Sequence, residues 1–356
     1  MPDRIGKLRQ AMDGAKVDGL VVSDRVNVSY LSGFSGDAGL LYVSPSRQYL
    51  ITDSRFDAQA AQEAPEFALT ISSGKGYFEA LGRVIRRTRA GRIGVEADHL
   101  TYGQARELRQ HMTGRRMVAT RGLAAGMRAV KSAAEIAAIR RAVAIGDGAW
   151  VRTLRRVRAG MTERELSGEI ERAMRIEGAD KFAFGTIAAS GPNAAMPHAP
   201  VTGRVLRERD VVKADFGAVR DSYCSDITRT IFIGGKPKRK QEKMYRVALE
   251  AQLLAEEAAE PGMAAAELDA VARQYITNAG FGDEFKHGLG HGIGRAVHEM
   301  PSISQKSKDV LEPGMVITIE PGIYSPGYAG VRIEDVILIT ENGSEVLTQA
   351  PKWALS

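Results

Sequence analysis

The sequence predicts a mixed α/β (α+β) protein of two domains, in which a small α/β domain precedes a larger one built from two halves related by a pseudo-twofold axis. Three observations support this. The chain has 356 residues and 44% apolar content, which suits two domains with buried cores. Its first third alternates strand-like and helical segments, and its remainder repeats a helix, helix, sheet order. No residue-level repeat accompanies this order, so the two halves are inferred from element order alone.

Short apolar runs predict the strands of the first domain, at residues 19–23, 39–44, 49–52 and 93–97. Helical patterns separate them, from Arg55 to Gln62 and from Tyr77 to Arg89. This alternation is typical of a small α/β domain with a mixed sheet. We expect that domain to cover residues 1–122 and a connector to cover residues 123–131.

The second domain is predicted to cover residues 132–356. Capping boxes open its first two helices, at Ser132 to Glu135 and at Thr162 to Glu165, because in each the hydroxyl and the glutamate can satisfy free amides of the first turn. Two pairs of helices, each followed by strands, are predicted at residues 132–158 and 162–177, then at 241–260 and 264–279.

Composition restricts the partners and the compartment. The net charge is +6, yet 49 basic and 43 acidic residues are interleaved, which argues against a nucleic-acid partner. The basic run at 236–240 suits a solvated turn better than a binding patch. The charged N-terminus, the lack of about 18 consecutive apolar residues and the single cysteine, Cys224, predict a soluble cytoplasmic protein with no membrane partner.

Two aspartates flank a predicted hairpin. Asp215 ends the apolar run VVKAD and Asp226 begins DITRTIFI, with Gly217 and the Asp221-Ser222 pair as turn residues between them. The arms of such a hairpin can bring the two carboxylates side by side. The alternative is that each aspartate is separately solvated at its own strand end.

Glu320 in VITIEPG and Glu334 in VRIED place two more carboxylates within apolar strand patterns. Four clustered carboxylates repel one another and favour protonation unless cations compensate them. Two divalent ions would balance four negative charges. A dinuclear metal site is therefore the simplest single explanation.

Histidine usage supports the metal site. Three of the six histidines lie in the segment HGLGHGIGRAVHE, as His287, His291 and His298. A histidine flanked by glycines beside an acidic cluster has room to ligate a metal. The glycines could instead cradle a phosphate, but the P-loop spacing is absent. Oxygen donors with one nitrogen favour Mn²⁺, with Co²⁺, Fe²⁺ or Zn²⁺ as alternatives.

At these residues the chain resembles the aminopeptidase P and prolidase branch of the pita-bread metallopeptidases, family M24. The resemblance is carried in family order by KFAFGTIAASGPNAAMPHAP, ADFGAVRDSYCSDITRT, HGLGHGIGRAVHE, EPGMVITIEPGIY and GVRIEDVILIT, and NVSYLSGFSGDAG is similar to the family's creatinase-like N-terminal domain. It implies a C-terminal pita-bread domain, a homodimer and cleavage of Xaa-Pro bonds at the N-terminus of peptides or dipeptides.

Carried over by position, the resemblance assigns roles to individual residues. It implies five metal ligands, which are Asp215, Asp226, His291, Glu320 and Glu334. It implies that the catalytic residues are His198, His287, His298, Glu320 and Arg332. The alternative for Arg332 is an arginine on a strand surface. His287 and the GVRIED motif distinguish this branch from methionine aminopeptidases.

Other functions on the same fold compete with this hypothesis. A creatinase-like hydrolase and a non-catalytic binding module typically lose several of the five ligands, which this chain retains. A metal-dependent lyase is not excluded in this way. Some prolidases place an arginine shortly after the His-Glu pair, where this chain has Ser302, and this difference favours acceptance of peptides longer than a dipeptide.

Overall fold

A computed structural model describes residues 3–72 and 76–353. The chain forms two compact units, Met1–Met127 and Arg128–Ser356. The division falls inside the connector predicted at residues 123–131. Among the described residues, no helix combines the length and the apolar character needed to cross a lipid bilayer.

The first unit is an α/β unit whose sheet is mixed, as predicted. Its strands lie in the order β4-β3-β2-β1-β5-β6, with β1, β2 and β3 antiparallel and the outer neighbours parallel. Apolar side chains pack on both faces of this sheet. The elements are α1 (Arg4–Gly14), β1 (Gly19–Val22), α2 (Arg25–Ser32), β2 (Leu40–Val43), β3 (Gln48–Asp53), α3 (Asp57–Glu63), β4 (Ala68–Ser72), α4 (Tyr77–Arg86), β5 (Arg92–Glu96), α5 (Tyr102–His111), β6 (Arg116–Thr120) and α6 (Leu123–Met127).

The four predicted strands of this unit are confirmed. The helix predicted from Tyr77 to Arg89 ends at Arg86, and two further corrections are needed. The segment predicted as a helix from Arg55 begins with a 3₁₀ turn at Ser54–Phe56, and α3 follows it. The predicted connector is helical over α6, because Leu123, Ala124 and Met127 pack on the apolar cluster beside α1. The sequence analysis did not predict α1, α2, α5, β4 or β6.

The second unit repeats its element order, as predicted. Two helices precede a group of strands, and two further helices precede another. The elements are α7 (Ala133–Leu154), α8 (Glu163–Glu177), β7 (Lys181–Phe182), β8 (Ile187–Ser190), β9 (Val211–Phe216), β10 (Ala218–Arg220), β11 (Tyr223–Cys224), β12 (Ile227–Phe232), α9 (Arg239–Ala258), α10 (Ala265–Asn278), β13 (Gly290–Gly292), β14 (Glu299–Ile303), β15 (Val316–Ile319), β16 (Gly322–Ser325), β17 (Ala329–Arg332), β18 (Asp335–Thr340) and β19 (Gly343–Val346).

Both predicted capping boxes are present. Glu135 accepts hydrogen bonds from the amide and hydroxyl of Ser132 at the start of α7, and Glu165 accepts the equivalent bonds from Thr162 at the start of α8. Each box satisfies donors that the first turn of a helix leaves free. α7 ends at Leu154, earlier than the predicted end near residue 158.

Two sheets and a hairpin carry the site residues. Strands β12, β9 and β8 form one antiparallel sheet, β14-β13-β15-β18-β19 form another, and β16 pairs with β17. The predicted hairpin is confirmed, with Asp215 opposite Thr228 in the register of β9 and β12. Glu320 and Glu334 were expected within strands, but each lies at a junction, between β15 and β16 and between β17 and β18.

Candidate metal centre

One cavity of about 460 Å³ in the second unit brings together all nine site residues that the sequence predicted. Asp215, His291 and Arg332 lie on β9, β13 and β17, and the other six lie in segments that precede or connect strands. The nine residues are His198, Asp215, Asp226, His287, His291, His298, Glu320, Arg332 and Glu334.

Three potential ligands lie close together. One ligand atom from each of Asp226, His291 and Glu334 lies within 4.8 Å of the other two. His291 Nε2 is 3.7 Å from Asp226 Oδ2 and 3.3 Å from Glu320 Oε1, which joins Glu320 to the group. Distances of this order suit donors arranged around shared cations.

Local hydrogen bonds fix the orientation of two ligands. His291 Nδ1 is 3.1 Å from the carbonyl of Gly292, so Nδ1 donates there and Nε2 faces the carboxylates, where it can ligate a metal once its own proton has left. The hydroxyl of Thr228 donates a 2.6 Å hydrogen bond to Glu334 Oε2. Partners of this kind hold ligand side chains in one conformation.

Arg332 is the only lysine or arginine among the described residues that line the cavity. Its guanidinium pairs with Asp215 and lies 3.8 Å from Glu320 Oε2. It also donates to Thr228, to Tyr324 and to the carbonyl of Pro197. Its side chain is only 3% exposed, so the alternative of a surface arginine on a strand is wrong.

Burial and mutual repulsion act on the carboxylates. Burial, followed by the charge of Glu334, raises the pKa of Asp226 well above its ordinary value. Burial and the charge of Glu320 likewise raise the pKa of Glu334. Burial also raises the pKa of Asp215, whose Oδ1 has no hydrogen-bond partner among the described residues. Buried carboxylates with raised pKa values are stabilised in their ionised form when a cation binds beside them. The raised pKa values and the unpartnered oxygen therefore fit a site that binds metal cations.

Glu320 differs from the other three acids. Burial alone would raise its pKa, but the hydrogen bond and charge of His291, with the charge of Arg332, lower the pKa of Glu320 to about 2. Glu320 is therefore ionised at neutral pH. The donor set as a whole, four carboxylates and one imidazole, fits first-row divalent cations such as Mn²⁺.

The remaining histidines line the walls of the cavity. His287 Nε2 lies 2.9 Å from the hydroxyl of Tyr324, and burial lowers the pKa of His287. The ring of His298 is 4.3 Å from that of His291, and its side chain is exposed at the cavity. Desolvation and the neighbouring His291 lower the pKa of His298, which favours the neutral imidazole. His198 is exposed at the cavity.

Three residues beside the cavity were missed by sequence reasoning. Tyr324 joins His287 to Arg332, Thr228 joins Arg332 to Glu334, and Lys213 lies buried on the same face of β9 as Asp215. A lysine within the apolar run VVKADF was a visible signal, because a buried charge needs partners. Tyr324 and Thr228 carry no such signal, since both are ordinary strand residues.

A glycine permits the close approach of two segments at the site. A Cβ at Gly330 on β17 would lie 1.9 Å from the carbonyl oxygen of Ala194, in the 3₁₀ turn Gly191–Ala195. Only a residue without a side chain allows this distance. The strand that carries Arg332 therefore lies directly against the turn that leads to His198.

Comparison with known proteins assigns both parts of the chain. Residues 137–341 match the model of metallopeptidase family M24, and residues 4–130 match that of the creatinase/prolidase N-terminal domain. A protein named Xaa-Pro dipeptidase from Pyrococcus furiosus is 38% identical over 355 residues, which cover 100% of both chains.

Solved structures agree with this assignment. An Xaa-Pro dipeptidase from Bacillus anthracis superposes with a TM-score of 0.95 at 38% identity, covering 99% of this chain and 98% of that one. An X-Pro aminopeptidase from Thermotoga maritima MSB8 superposes with a TM-score of 0.88 at 36% identity, covering 97% and 99%. The chain belongs to metallopeptidase family M24, with a creatinase/prolidase N-terminal domain and a pita-bread fold.

Proposed function

We propose that this protein is a metal-dependent exopeptidase that hydrolyses the Xaa-Pro bond at the N-terminus of peptides. The observation that carries the proposal is the convergence of four carboxylates, four histidines and Arg332 on one cavity. Relatives that match 97% or more of the chain, and are named Xaa-Pro dipeptidase or X-Pro aminopeptidase, support the same substrate class.

Five residues would hold two divalent ions, and they are Asp215, Asp226, His291, Glu320 and Glu334. When bound, such ions supply a nucleophile at neutral pH and polarise the scissile carbonyl. We propose manganese as the preferred metal because oxygen donors dominate the set. A homodimer, by resemblance, and a cytoplasmic location, from the sequence composition, complete the proposal.

Glu320 is suited to carry the proton. Its carboxylate is ionised at neutral pH, so it can accept a proton from the attacking water. The water oxygen bonds to the carbonyl carbon, the carbon–nitrogen bond breaks, and Glu320 delivers the proton to the departing proline nitrogen. Delivery matters because this nitrogen carries no hydrogen of its own in the peptide.

Two histidines face the scissile carbonyl in this proposal. A neutral imidazole at His298 can donate a hydrogen bond to the oxygen on which charge develops, and His198 lines the same cavity. His287, held against Tyr324, forms the wall on the side of the departing proline. Proline fixes its own φ and lacks an amide hydrogen, so recognition depends on such walls more than on backbone pairing.

Substrate length is a separate question. Ser302 lines the cavity opposite His291 in the register of β13 and β14. Among the described lining residues, Arg332 is the one lysine or arginine, and it is engaged by Asp215 and Tyr324. This lining offers no free lysine or arginine to the carboxylate of a dipeptide, which supports acceptance of longer peptides. Dipeptidase activity is the second candidate, favoured by the names of the relatives.

The test is release of free alanine from Ala-Pro and Ala-Pro-Ala by manganese-loaded protein. Ala-Ala and a chelated sample serve as controls. We expect metal-dependent release from at least one proline substrate and none from Ala-Ala. Cleavage of Ala-Pro alone would assign a dipeptidase, and cleavage of Ala-Pro-Ala an aminopeptidase. No metal-dependent release from either would overturn the proposal and favour the lyase.

A further inference from the structure

Lys213 is a fully buried lysine in the middle of β9, two residues before Asp215. Its strand neighbours Val211, Val212 and Ala214 are apolar and buried. A buried ammonium is costly unless hydrogen bonds compensate it, and a methionine or leucine would fill the same volume without that cost. The position of the charge therefore requires an explanation from its partners.

The partners of Lys213 lie immediately before His198 in the chain. The ammonium donates hydrogen bonds of 2.7 Å to the carbonyl of Met196 and 2.9 Å to the carbonyl of Pro197. Arg332 adds a third donor, 3.3 Å from the Pro197 carbonyl. Both carbonyls of this turn therefore accept hydrogen bonds from buried side chains, and His198 is the next residue.

The rest of this segment is anchored elsewhere. The buried carboxylate of Glu163 accepts from the amide and hydroxyl of Ser190, from Asn193 and from Thr202. These contacts fix the two ends of the segment. Between them, His198 is exposed, so its location depends on the backbone that carries it.

We infer that Lys213 is a positioning residue, which holds the Met196–Pro197 turn and so places His198 over the reacting carbonyl. This inference rests on the proposed role of His198. The ammonium is too deeply buried to meet a substrate, and it is absent from the cavity lining. Its effect must therefore pass through the turn.

A merely structural role predicts something different. If Lys213 only stabilised the sheet or balanced the charge of Asp215, its loss would change unfolding or metal content and leave the location of His198 unchanged. The two roles separate when Lys213 and His198 are replaced singly and together.

The first experiment is a double-mutant cycle with manganese-loaded Lys213→Met, His198→Ala and the double variant. Lys243→Met is the matched control, because Lys243 also donates to a backbone carbonyl, that of Ala279, but is exposed. We expect Lys213→Met to lower kcat about 10- to 100-fold with metal content retained. In the His198→Ala background, Lys213→Met should lower kcat by less than about twofold, because the residue through which Lys213 acts is already absent.

The second experiment does not depend on activity. Deuterium uptake by the amides of residues 193–199 is compared by mass spectrometry in the wild type, Lys213→Met and Lys243→Met. We expect faster uptake only in Lys213→Met. This result tests the inference even if no Xaa-Pro bond is cleaved, so failure of the proposed function remains distinguishable.

Three outcomes would overturn the inference. The first is that the losses of kcat in the two single variants multiply in the double variant. The second is that deuterium uptake over residues 193–199 is the same in Lys213→Met as in the wild type. The third is that neither Lys213→Met nor Lys213→Gln folds. The glutamine variant keeps a donor without the charge, so a folded Lys213→Gln with intermediate kcat and uptake would support the positioning role.

Discussion

Thr228 donates a 2.6 Å hydrogen bond to Glu334 and accepts one of 2.9 Å from Arg332. One hydroxyl thus links a proposed metal ligand to the buried cation beside it. We expect Thr228→Val to weaken Mn²⁺ binding about 10- to 100-fold, because the Glu334 carboxylate loses the donor that orients it. Titration calorimetry measures this. Thr153→Val is the control, since Thr153 donates only within α7, and equal affinities for both variants would contradict the prediction.

Chelated protein should lose stability as pH rises. The folded-state pKa values of Asp226 and Glu334 are raised, so between the ordinary carboxyl pKa of about 4 and the raised values the folded state binds more protons than the unfolded state. The free energy of unfolding then falls with pH across that window. Thermal unfolding in chelator from pH 5 to pH 8 measures the slope. Asp226→Asn should flatten it, and a wild-type slope in this variant would refute the account.

His298→Ala should separate catalysis from metal binding. Its imidazole lies beside His291 but is assigned to the developing oxyanion, so we expect kcat to fall about 10²- to 10³-fold with metal content unchanged. Turnover and elemental analysis of the same preparation provide both values. His99→Ala, an exposed histidine of the first unit, should turn over normally. Normal turnover in His298→Ala would remove the assigned role.

Ser302→Arg should shift preference toward dipeptides. The new guanidinium would stand at the cavity opposite His291, where it can pair with a carboxylate directly after proline. We expect the ratio of kcat/KM for Ala-Pro over Ala-Pro-Ala to rise about tenfold. Ser302→Gln supplies bulk without charge and should leave the ratio unchanged. An equal shift in both variants would implicate size and not charge.

Glu299→Ala should destabilise the second unit strongly. Glu299, next to His298, is buried between Arg128 and Lys131, at 3.1 and 3.0 Å. Removing the carboxylate deprives two buried basic side chains of its negative charge, and we expect this to lower the free energy of unfolding by about 3–5 kcal/mol. Urea denaturation measures this. The exposed pair Glu242–Arg246 provides the control, where Glu242→Ala should cost about 0.5 kcal/mol, and similar losses in both variants would refute the prediction.

Much of the fold follows from local patterns. An apolar run predicted β9, the strand that carries Asp215, and capping boxes located the first turns of α7 and α8. Slight burial explains why α5 was missed. Of the residues in α5, only Leu108 is buried, so that helix lacks the periodic apolar face on which the prediction depends.

Seven of the nine predicted site residues, the four carboxylates and the three histidines of HGLGHGIGRAVHE, could be found because they are titratable side chains in unusual settings. His198 and Arg332 were assigned by the family resemblance alone. The residues that support these nine could not be found from the sequence. Thr228 becomes significant only through its register opposite Asp215, and Tyr324 only through contacts with His287 and Arg332. Register and packing between distant strands are properties of the folded chain and are absent from any local window of sequence.

The contact of Gly330 with Ala194 has a consequence for mutational tolerance. Because main-chain atoms occupy the space of a Cβ, every alternative amino acid is excluded at position 330, however small or polar. A saturation library selected for turnover should therefore deplete this position as thoroughly as a metal ligand. Such a selection would identify Gly330 as essential although it has no functional group, because the absence of a side chain is what allows the two segments to pack.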